Sequence, residues 1–400
     1  MLKSKTSKIR DISLKCYRLF SLTQGEVMAI LVFLYKLELR LIYFLFKLLP
    51  VAPHKVVFLS RNFDSPPLDF RLLETQLKSI NPDVKTVFLT KRIHKNIFSL
   101  IGYHFHTIRQ LYHIATTNVC VLDSYIIPIS ILNHRKTLKV IQIWHAMGAI
   151  KKFGYQTLGF RYGRKARLSR LMHMHEKYDH IISGSPAMIP FFCKAFNAPE
   201  SIFLPYGLPR IDYIVNTSNG ISRRIKSKYP ELSDKPVILY VPTFRLEQDG
   251  GIEELVNQID FDKYTLIIRK HPNDKRSYND ERVAKIDGFS ALELLTVADY
   301  VITDYSAISI EAAALEKRVY LYVYDYARYF DSNGLNIDLS KELPGCVFGD
   351  AAALMDDIKS NSYDQQVIRS FRDKYVINKG DSTQKICRLI SSCMKEDPAR

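Results

Sequence analysis

Four hundred residues, 47% of them apolar, are too many for one compact core and enough to fill two. The six cysteines (Cys16, Cys120, Cys193, Cys346, Cys387 and Cys393) are scattered, with no Cys-x-x-Cys pair and no metal-ligand spacing. That excludes a disulfide scaffold and a zinc module, and reads as core thiols in a reducing compartment.

The net charge of +16 is uneven: residues 1–50 carry nine Lys and Arg against three Asp and Glu, and residues 151–180 carry eight against two. Such a balance suits nucleic acid, anionic lipid or a phosphorylated substrate. In the first of these stretches, "EVMAILVFLYKLELRLIYFLFKLLP" is strongly apolar but is interrupted by Lys36, Glu38, Arg40 and Lys47. Its longest uninterrupted run, Val27 to Tyr35, falls short of the roughly 20 residues that span a bilayer, and no small-residue cleavage site follows it. The expectation is an amphipathic helix lying in a membrane interface, with Lys3, Lys5, Lys8, Arg10, Lys15 and Arg18 upstream drawing it to anionic headgroups. The plainer alternative is a helix packed on the body of the protein.

After Pro50 come short β-branched runs separated by helical stretches: "KVVFLS", "KTVFLT", "NVCVLD", "LKVIQIW" and "DHIIS". Runs apolar on both faces and alternating with helices predict a parallel sheet covered on both sides. The polar stretch at 207–235 reads as a linker. A second series follows: "VILYVPTF", "YTLIIRKHP", "DYVITDYS" and "RVYLYVYD". The predicted organisation is α/β: a basic tail and apolar helix (1–50), a Rossmann-like doubly wound domain (51–206), the linker, a second Rossmann-like domain (236–360) and C-terminal helices (361–400).

Ligands of open parallel sheets sit beyond the carboxyl ends of the strands. The polar residues placed there are His145 with Lys151 and Lys152, Ser183 to Ser185, Thr243 with Arg245, Arg269 with His271, and Thr303 to Ser306. The set suits an anionic phosphate ligand. In "IQIWHAMGAIKKFGY", His145 follows Trp144, the only tryptophan, and a flexible Gly148 precedes the lysine pair. Partly desolvated, that imidazole stays neutral and accepts a proton from an alcohol; the competing reading is a satisfied core histidine.

"VPTFR" offers Thr243 and the following amides to a phosphate, with Arg245 adding charge, against the reading of a surface arginine after a strand. In "IIRKHP", Arg269 and His271 are two apart on extended chain and share a face, and Pro272 directs the exit. Together they hold a diphosphate and steady the charge on a leaving phosphate, or else His271 is bonded at a sheet edge. In "ADYVITDYSAISIEAA", Asp304 or Ser306 caps a small-residue helix whose free amides meet an anion, and Glu311 lies about a turn further on as a hydroxyl acceptor.

Other patterns carry less. "HMHEKYDH" (His173, His175, His180) has no zinc spacing and reads as a solvated helix, and "RYGRKARLSRLMHMH" as a basic amphipathic helix or a solvated face. Neither a GxxxxGK[ST] loop nor a GxGxxG after a strand is present.

Taken in order and spacing, "WHAMGAIKKFG", "VPTFR", "RKHP" and "ADYVITDYSAISIEAA" resemble the CDP-glycerol glycerophosphotransferase family of teichoic-acid enzymes, and "HKVVFLSRNFDSPPLDFRLLETQLK" is similar to its first strand and helix. The likeness covers roughly residues 50 to 350. It implies a two-domain glycosyltransferase-B-like fold with a cleft between the halves, and a peripheral enzyme on the cytoplasmic face of the cell membrane. It also implies transfer of glycerol phosphate from CDP-glycerol to an alcohol of a polyprenyl-diphosphate-linked saccharide, with release of CMP.

By that resemblance His145 is the base and His271 the second essential histidine. Thr243, Arg245, Arg269, Asp304, Tyr305, Ser306 and Glu311 surround the donor nucleotide and diphosphate; Trp144, Lys151 and Lys152 face the acceptor. No cofactor is tightly bound on this reading and no acidic cluster marks a metal site, which leaves a Mg2+ requirement open. Many members have glycine at Ala146 and two serines at Ser306 and Ala307, and the chain lacks the extra N-terminal region of the large polymerases. Rival readings are a CDP-ribitol ribitolphosphotransferase, a nucleotide-sugar glycosyltransferase or epimerase of the same fold, a nucleic-acid-binding protein, and a non-catalytic membrane scaffold.

Overall fold

The computed structural model describes residues 24–395, apart from 95, 161–162, 164, 246–250, 272–273, 275–277, 279 and 378–379. The basic tail from Lys3 to Arg18, Cys16 and Pro272 lie outside the described residues.

The apolar runs become two parallel sheets. The first holds β1 (Lys55–Ser60), β2 (Lys85–Thr90), β3 (Val119–Leu122), β4 (Lys139–Gln142), β5 (His180–Ile182) and β6 (Phe203–Leu204) in the order β2-β1-β3-β4-β5-β6. The second holds β7 (Val237–Tyr240), β8 (Thr265–Ile268), β9 (Tyr300–Thr303), β10 (Arg318–Tyr322) and β11 (Val347–Phe348) in the order β11-β10-β9-β7-β8. Helices cover both faces, so the central strands have no wet side: Val56, Val57, Phe58 and Leu59 of β1 are wholly buried, while the edge strand β2 is partly exposed. Register follows the β-branched residues, with Val57 facing Val87 on β2 and Cys120 on β3. The described cysteines are free thiols, four of the five buried.

The first helix, α1 (Gln24–Phe46), has one packed face and one exposed apolar face. One face is packed: Leu39 and Tyr43 are buried, the Tyr43 hydroxyl meets His134 Nδ1 at 2.9 Å, and Lys36 donates to the Leu171 carbonyl at 3.0 Å. The other face leaves Leu31, Phe33, Leu34, Leu41, Phe44 and Leu45 between 54% and 61% exposed. No described helix is long and apolar enough to cross a membrane.

The stretch expected as a linker is mostly a helix, α2 (Pro209–Lys228). Pro209 starts it, at the position where a missing N–H costs nothing. Ile211, Ile214, Ile221 and Ile225 then form a buried stripe that its polar residues conceal in the sequence. Asp212 on α2 accepts from the Thr383 amide at 2.7 Å and from the Gly380 and Ser382 amides, which anchors the start of α3 (Ser382–Lys395). That last helix returns to the first half, where Cys387 Sγ donates to the Leu73 carbonyl at 3.5 Å.

The basic helix is short as well, Ala166–Leu171, and the three histidines beyond it do not form a solvated helix. His173, His175 and Lys177 have positive φ. His175 is buried, with Nδ1 3.0 Å from the Tyr178 hydroxyl and its ring against Phe196 at 4.8 Å. Aromatic packing outweighs helix propensity there.

Candidate active site

β4 stops because its next turn is built from side chains. Buried Gln142 accepts from the Trp144 amide at 2.9 Å and donates to the Ser124 carbonyl at 3.1 Å. Trp144 takes φ 57°, a left-handed conformation uncommon for a bulky residue. Its ring compensates by stacking on Phe153 at 4.7 Å and meeting Phe196 edge-on at 5.1 Å. His145 is thereby fixed beyond the strand, with Nδ1 3.0 Å from the Asp123 carbonyl oxygen. A carbonyl only accepts, so Nδ1 carries the proton and Nε2 is left as the acceptor. Desolvation pushes the imidazole down from 6.5 to about 4, and the Arg210, Lys151 and His271 cations push the same way against the carbonyl contact. His145 is therefore neutral at pH 7.

Gly148 serves close approach rather than flexibility. A Cβ there would lie 2.5 Å from Ile310 Cδ1 and 2.9 Å from Met188 Cε, so glycine lets the loop settle against the second half without displacing those side-chain ends. Beyond it the loop is hydrogen-bonded to the Gly334–Asn336 segment. Lys152 N donates to the Gly334 carbonyl (3.1 Å), Asn336 N to the Ile150 carbonyl (2.8 Å), and Asn336 Nδ2 to the Ala149 carbonyl (2.8 Å). Gly334, at φ 71°, supplies the left-handed turn that exposes its carbonyl. Lys151 faces the cleft with its pKa lowered by desolvation, in spite of the Asp304 carboxylate. Lys152 Nζ sits over the Phe160 ring at 5.7 Å.

On the other side, the residues after β7 and β9 form one network. Asp304 accepts from Thr243 N (2.9 Å), Thr243 Oγ1 (2.6 Å), Tyr305 N (2.7 Å) and Arg245 Nη1 (2.8 Å). Arg245 Nε donates to Asp325 at 2.8 Å, and the Tyr305 hydroxyl donates to the same carboxylate at 3.0 Å. Tyr305 in turn stacks on Tyr329 at 3.9 Å. Arg245 and Asp304 are buried beneath the cleft wall instead of lining it, because two carboxylates hold the guanidinium where the sequence reading put a phosphate. Ser306 Oγ accepts from the Ile308 amide at 3.4 Å, while Asp304 caps no helix. Ser183 turns inward to the Ser185 carbonyl, and Thr303 to the Val241 carbonyl.

Arg269 and His271 do share a side, and both line the cleft. Arg269 Nη2 is held by the Ile286 carbonyl at 2.5 Å. His271 stands at the mouth near the Phe244 ring (6.1 Å), its pKa lowered by partial desolvation and by the Lys151 ammonium. Glu311 reaches the cleft but accepts from Arg210 Nη1 at 3.2 Å, and Arg210 also binds Asp69 through Nε at 2.9 Å. Burial raises the Glu311 pKa against the pull of Arg210.

The result is a cleft of about 720 Å³. Trp144, His145, Lys151 and Lys152 come to it from the first half, and Thr243, Arg269, His271, Tyr305, Ser306 and Glu311 from the second. The motif reading missed Asp69, Asp123 and Arg210. Asp123 follows the apolar run of β3 as His145 follows β4, so the strand-end rule reaches it; Asp69 and Arg210 belong to helix starts and have no such signal. Among the described residues no group of three or more His, Cys, Asp or Glu is placed to hold a metal ion.

A model of the CDP-glycerol:poly(glycerophosphate) glycerophosphotransferase family matches residues 41–392. The chain is 30% identical over 361 residues to a teichoic acid ribitol-phosphate primase of Bacillus spizizenii, covering 86% of this chain and 92% of that protein. It is 29% identical over 299 residues to a teichoic acid glycerol-phosphate primase of Bacillus subtilis, covering 72% and 77%. Among solved structures, the wall teichoic acid polymerase TagF aligns with a TM-score of 0.72 at 19% identity, over 94% of this chain and 99% of that one. A UDP-GlcNAc 2-epimerase from Neisseria meningitidis bound to UDP-GlcNAc gives 0.56 at 11% identity, over 84% and 100%. Both likenesses are of fold, glycosyltransferase-B-like with two parallel sheets.

Proposed function

Since the chain belongs to the CDP-glycerol:poly(glycerophosphate) glycerophosphotransferase family, transferases of teichoic acid synthesis, we propose that it moves glycerol phosphate from CDP-glycerol to a hydroxyl of a membrane lipid-linked saccharide and releases CMP. The observation that carries this reading is the geometry of His145. Its Nδ1 is tied to a carbonyl, its Nε2 is left to accept, and Arg269 and His271 stand in the same cleft.

In the transfer, the acceptor oxygen attacks the β-phosphorus and its proton passes to His145 Nε2. The bond from the β-phosphorus to the bridging oxygen breaks, and CMP leaves with that oxygen. Charge accumulates on the bridging and non-bridging oxygens, where Arg269 and Lys151 are the cations at hand and His271 stands as a hydrogen-bonding imidazole. The Asp304 network acts one layer behind, fixing Thr243 and Tyr305 in the wall.

The exposed apolar face of α1, with Phe98, Ile101 and Phe105 of the helix Ile97–Ala115 beside it in the first half, supports a peripheral position on the cytoplasmic face of the membrane. There the lipid-linked acceptor is presented to the cleft. A second donor, CDP-ribitol, is favoured by the likeness to the ribitol-phosphate primase. The test is CMP release by the purified full chain from CDP-glycerol and from CDP-ribitol, with UDP-sugars as controls. Acceptor-dependent CMP release from either CDP-polyol supports the reading and assigns the donor; turnover of UDP-sugars alone overturns it.

A further inference from the structure

A second cavity, of about 310 Å³, adjoins the main cleft and shares its Trp144, His145, Lys152, Phe153 and Asn333 wall. Its other first-half lining comes partly from the carboxyl ends of neighbouring strands, Arg61 and Asn62 after β1 and Ser124 and Tyr125 after β3, and partly from Gly154, Thr157, Gly163 and His175. Among the described residues no aspartate or glutamate lines it. Arg61 lies over the Tyr125 ring at 5.5 Å and donates to the Tyr125 carbonyl at 3.4 Å; it has no carboxylate partner among the described residues. Arg245 and Arg210, by contrast, are each held by two carboxylates. The Asn62 side-chain amide is 3.3 Å from His145 Nδ1, longer than the 3.0 Å contact to the Asp123 carbonyl that takes the Nδ1 proton, so the cavity reaches the base itself.

From this we infer that the Arg61 cavity is an anion subsite for the acceptor, binding a phosphate monoester or diester carried next to the attacking hydroxyl. A guanidinium over an aromatic ring, with no carboxylate partner among the described residues and with Lys152 in the same lining, matches the fork geometry and charge of a phosphate. The aromatic walls suit the carbon face of a polyol or sugar. Donor phosphates belong to the main cleft with Arg269 and His271, so two anions bind on adjoining sides of one imidazole. The inference rests on the transferase reading and adds the acceptor's class: an end that already bears phosphate is preferred to a neutral saccharide end.

The test uses the full chain and two soluble acceptors, a short-chain alkyl-diphosphate disaccharide with and without a terminal glycerol phosphate. Expected is a kcat/KM at least tenfold higher for the phosphate-terminated acceptor. Arg61→Gln collapses that ratio toward one through acceptor KM, Arg61→Lys restores part of it, and donor Kd holds within twofold. Calorimetry reads binding of the phosphate-terminated acceptor directly, with inorganic phosphate as competitor. Should Arg61→Gln melt early, Arg61→Lys and Lys152→Gln carry the same comparison. Equal turnover of both acceptors, equal losses on both in Arg61→Gln, or inorganic phosphate binding as tightly as the acceptor overturns the subsite. Arg61-dependent binding of the phosphate-terminated acceptor without CMP release from any CDP-polyol leaves the subsite standing and overturns the transferase reading. Normal transfer indifferent to Arg61 does the reverse.

Discussion

The Nδ1 atom of His145 lies 3.0 Å from the carbonyl oxygen of Asp123, a main-chain group that does not titrate. The tautomer is therefore set independently of pH, and the ring's own ionisation alone decides whether Nε2 accepts. Desolvation holds that ionisation at about 4. The neutral, accepting form dominates above that value and is lost as pH falls through it. The acid limb of kcat/KM is thus expected near pH 4, well below the 6.5 of an ordinary histidine. The limb of kcat should lie higher, because a bound diphosphate stabilises the imidazolium. Initial rates from pH 4 to 8 decide it; a kcat/KM limb at 6.5 refutes the desolvated base.

Replacing His145 with Ala removes the proposed acceptor for the proton. A loss of about 10²- to 10⁴-fold in kcat is expected for a general base, with the thermal midpoint shifted by only a few degrees because the Trp144 stack remains. CMP release and a thermal melt on the same preparation check both. A variant that melts early and turns over in proportion to its folded fraction assigns His145 to the scaffold.

Arg245 and Arg269 should fail differently. Arg245→Ala strands two buried carboxylates, Asp304 and Asp325, and breaking a buried pair costs about 3–5 kcal/mol of stability. Arg269→Ala leaves only the Ile286 carbonyl without its donor, so stability should hold within about 1 kcal/mol while donor KM rises tenfold or more. Urea unfolding beside donor titration separates them; equal destabilisation would show that Arg269 is structural too.

These contrasts mark what was legible in the sequence. Each β-branched run became a strand, since residues buried on both faces advertise themselves. His145, Arg269 and His271 were found by following those strands to their carboxyl ends, and all three reach the cleft. Arg245 follows the same rule and yet is buried, because its partners Asp304 and Asp325 lie 59 and 80 residues away and no local pattern reveals such pairing. The helix Pro209–Lys228 was hidden by its wet face, and His175 by packing that joins Trp144, Tyr178 and Phe196 across the chain. Arg61 and Ser124 were within reach of the strand-end rule; Arg61 even stands in the stretch that resembles the family's first strand and helix, but no local pattern there marks it as facing the cavity.

The exposed face of α1 predicts membrane affinity that depends on apolar side chains as well as charge. Phe33→Asp with Leu41→Asp should weaken binding to vesicles containing anionic lipid at least tenfold, since each charge placed in an apolar interface is costly. Both side chains are about 60% exposed, so the fold should tolerate the change. Vesicle sedimentation of the full chain measures it; undiminished binding would assign the contact to the basic residues alone.

The bonds from the His145 loop to Gly334 and Asn336 use the main-chain atoms of Ala149, Ile150 and Lys152. The side chains at 151 and 152 make none of these bonds. Lys152 can therefore be replaced to suit a different substrate without displacing the imidazole seven residues upstream, which would let specificity diverge at this loop while the chemistry is inherited.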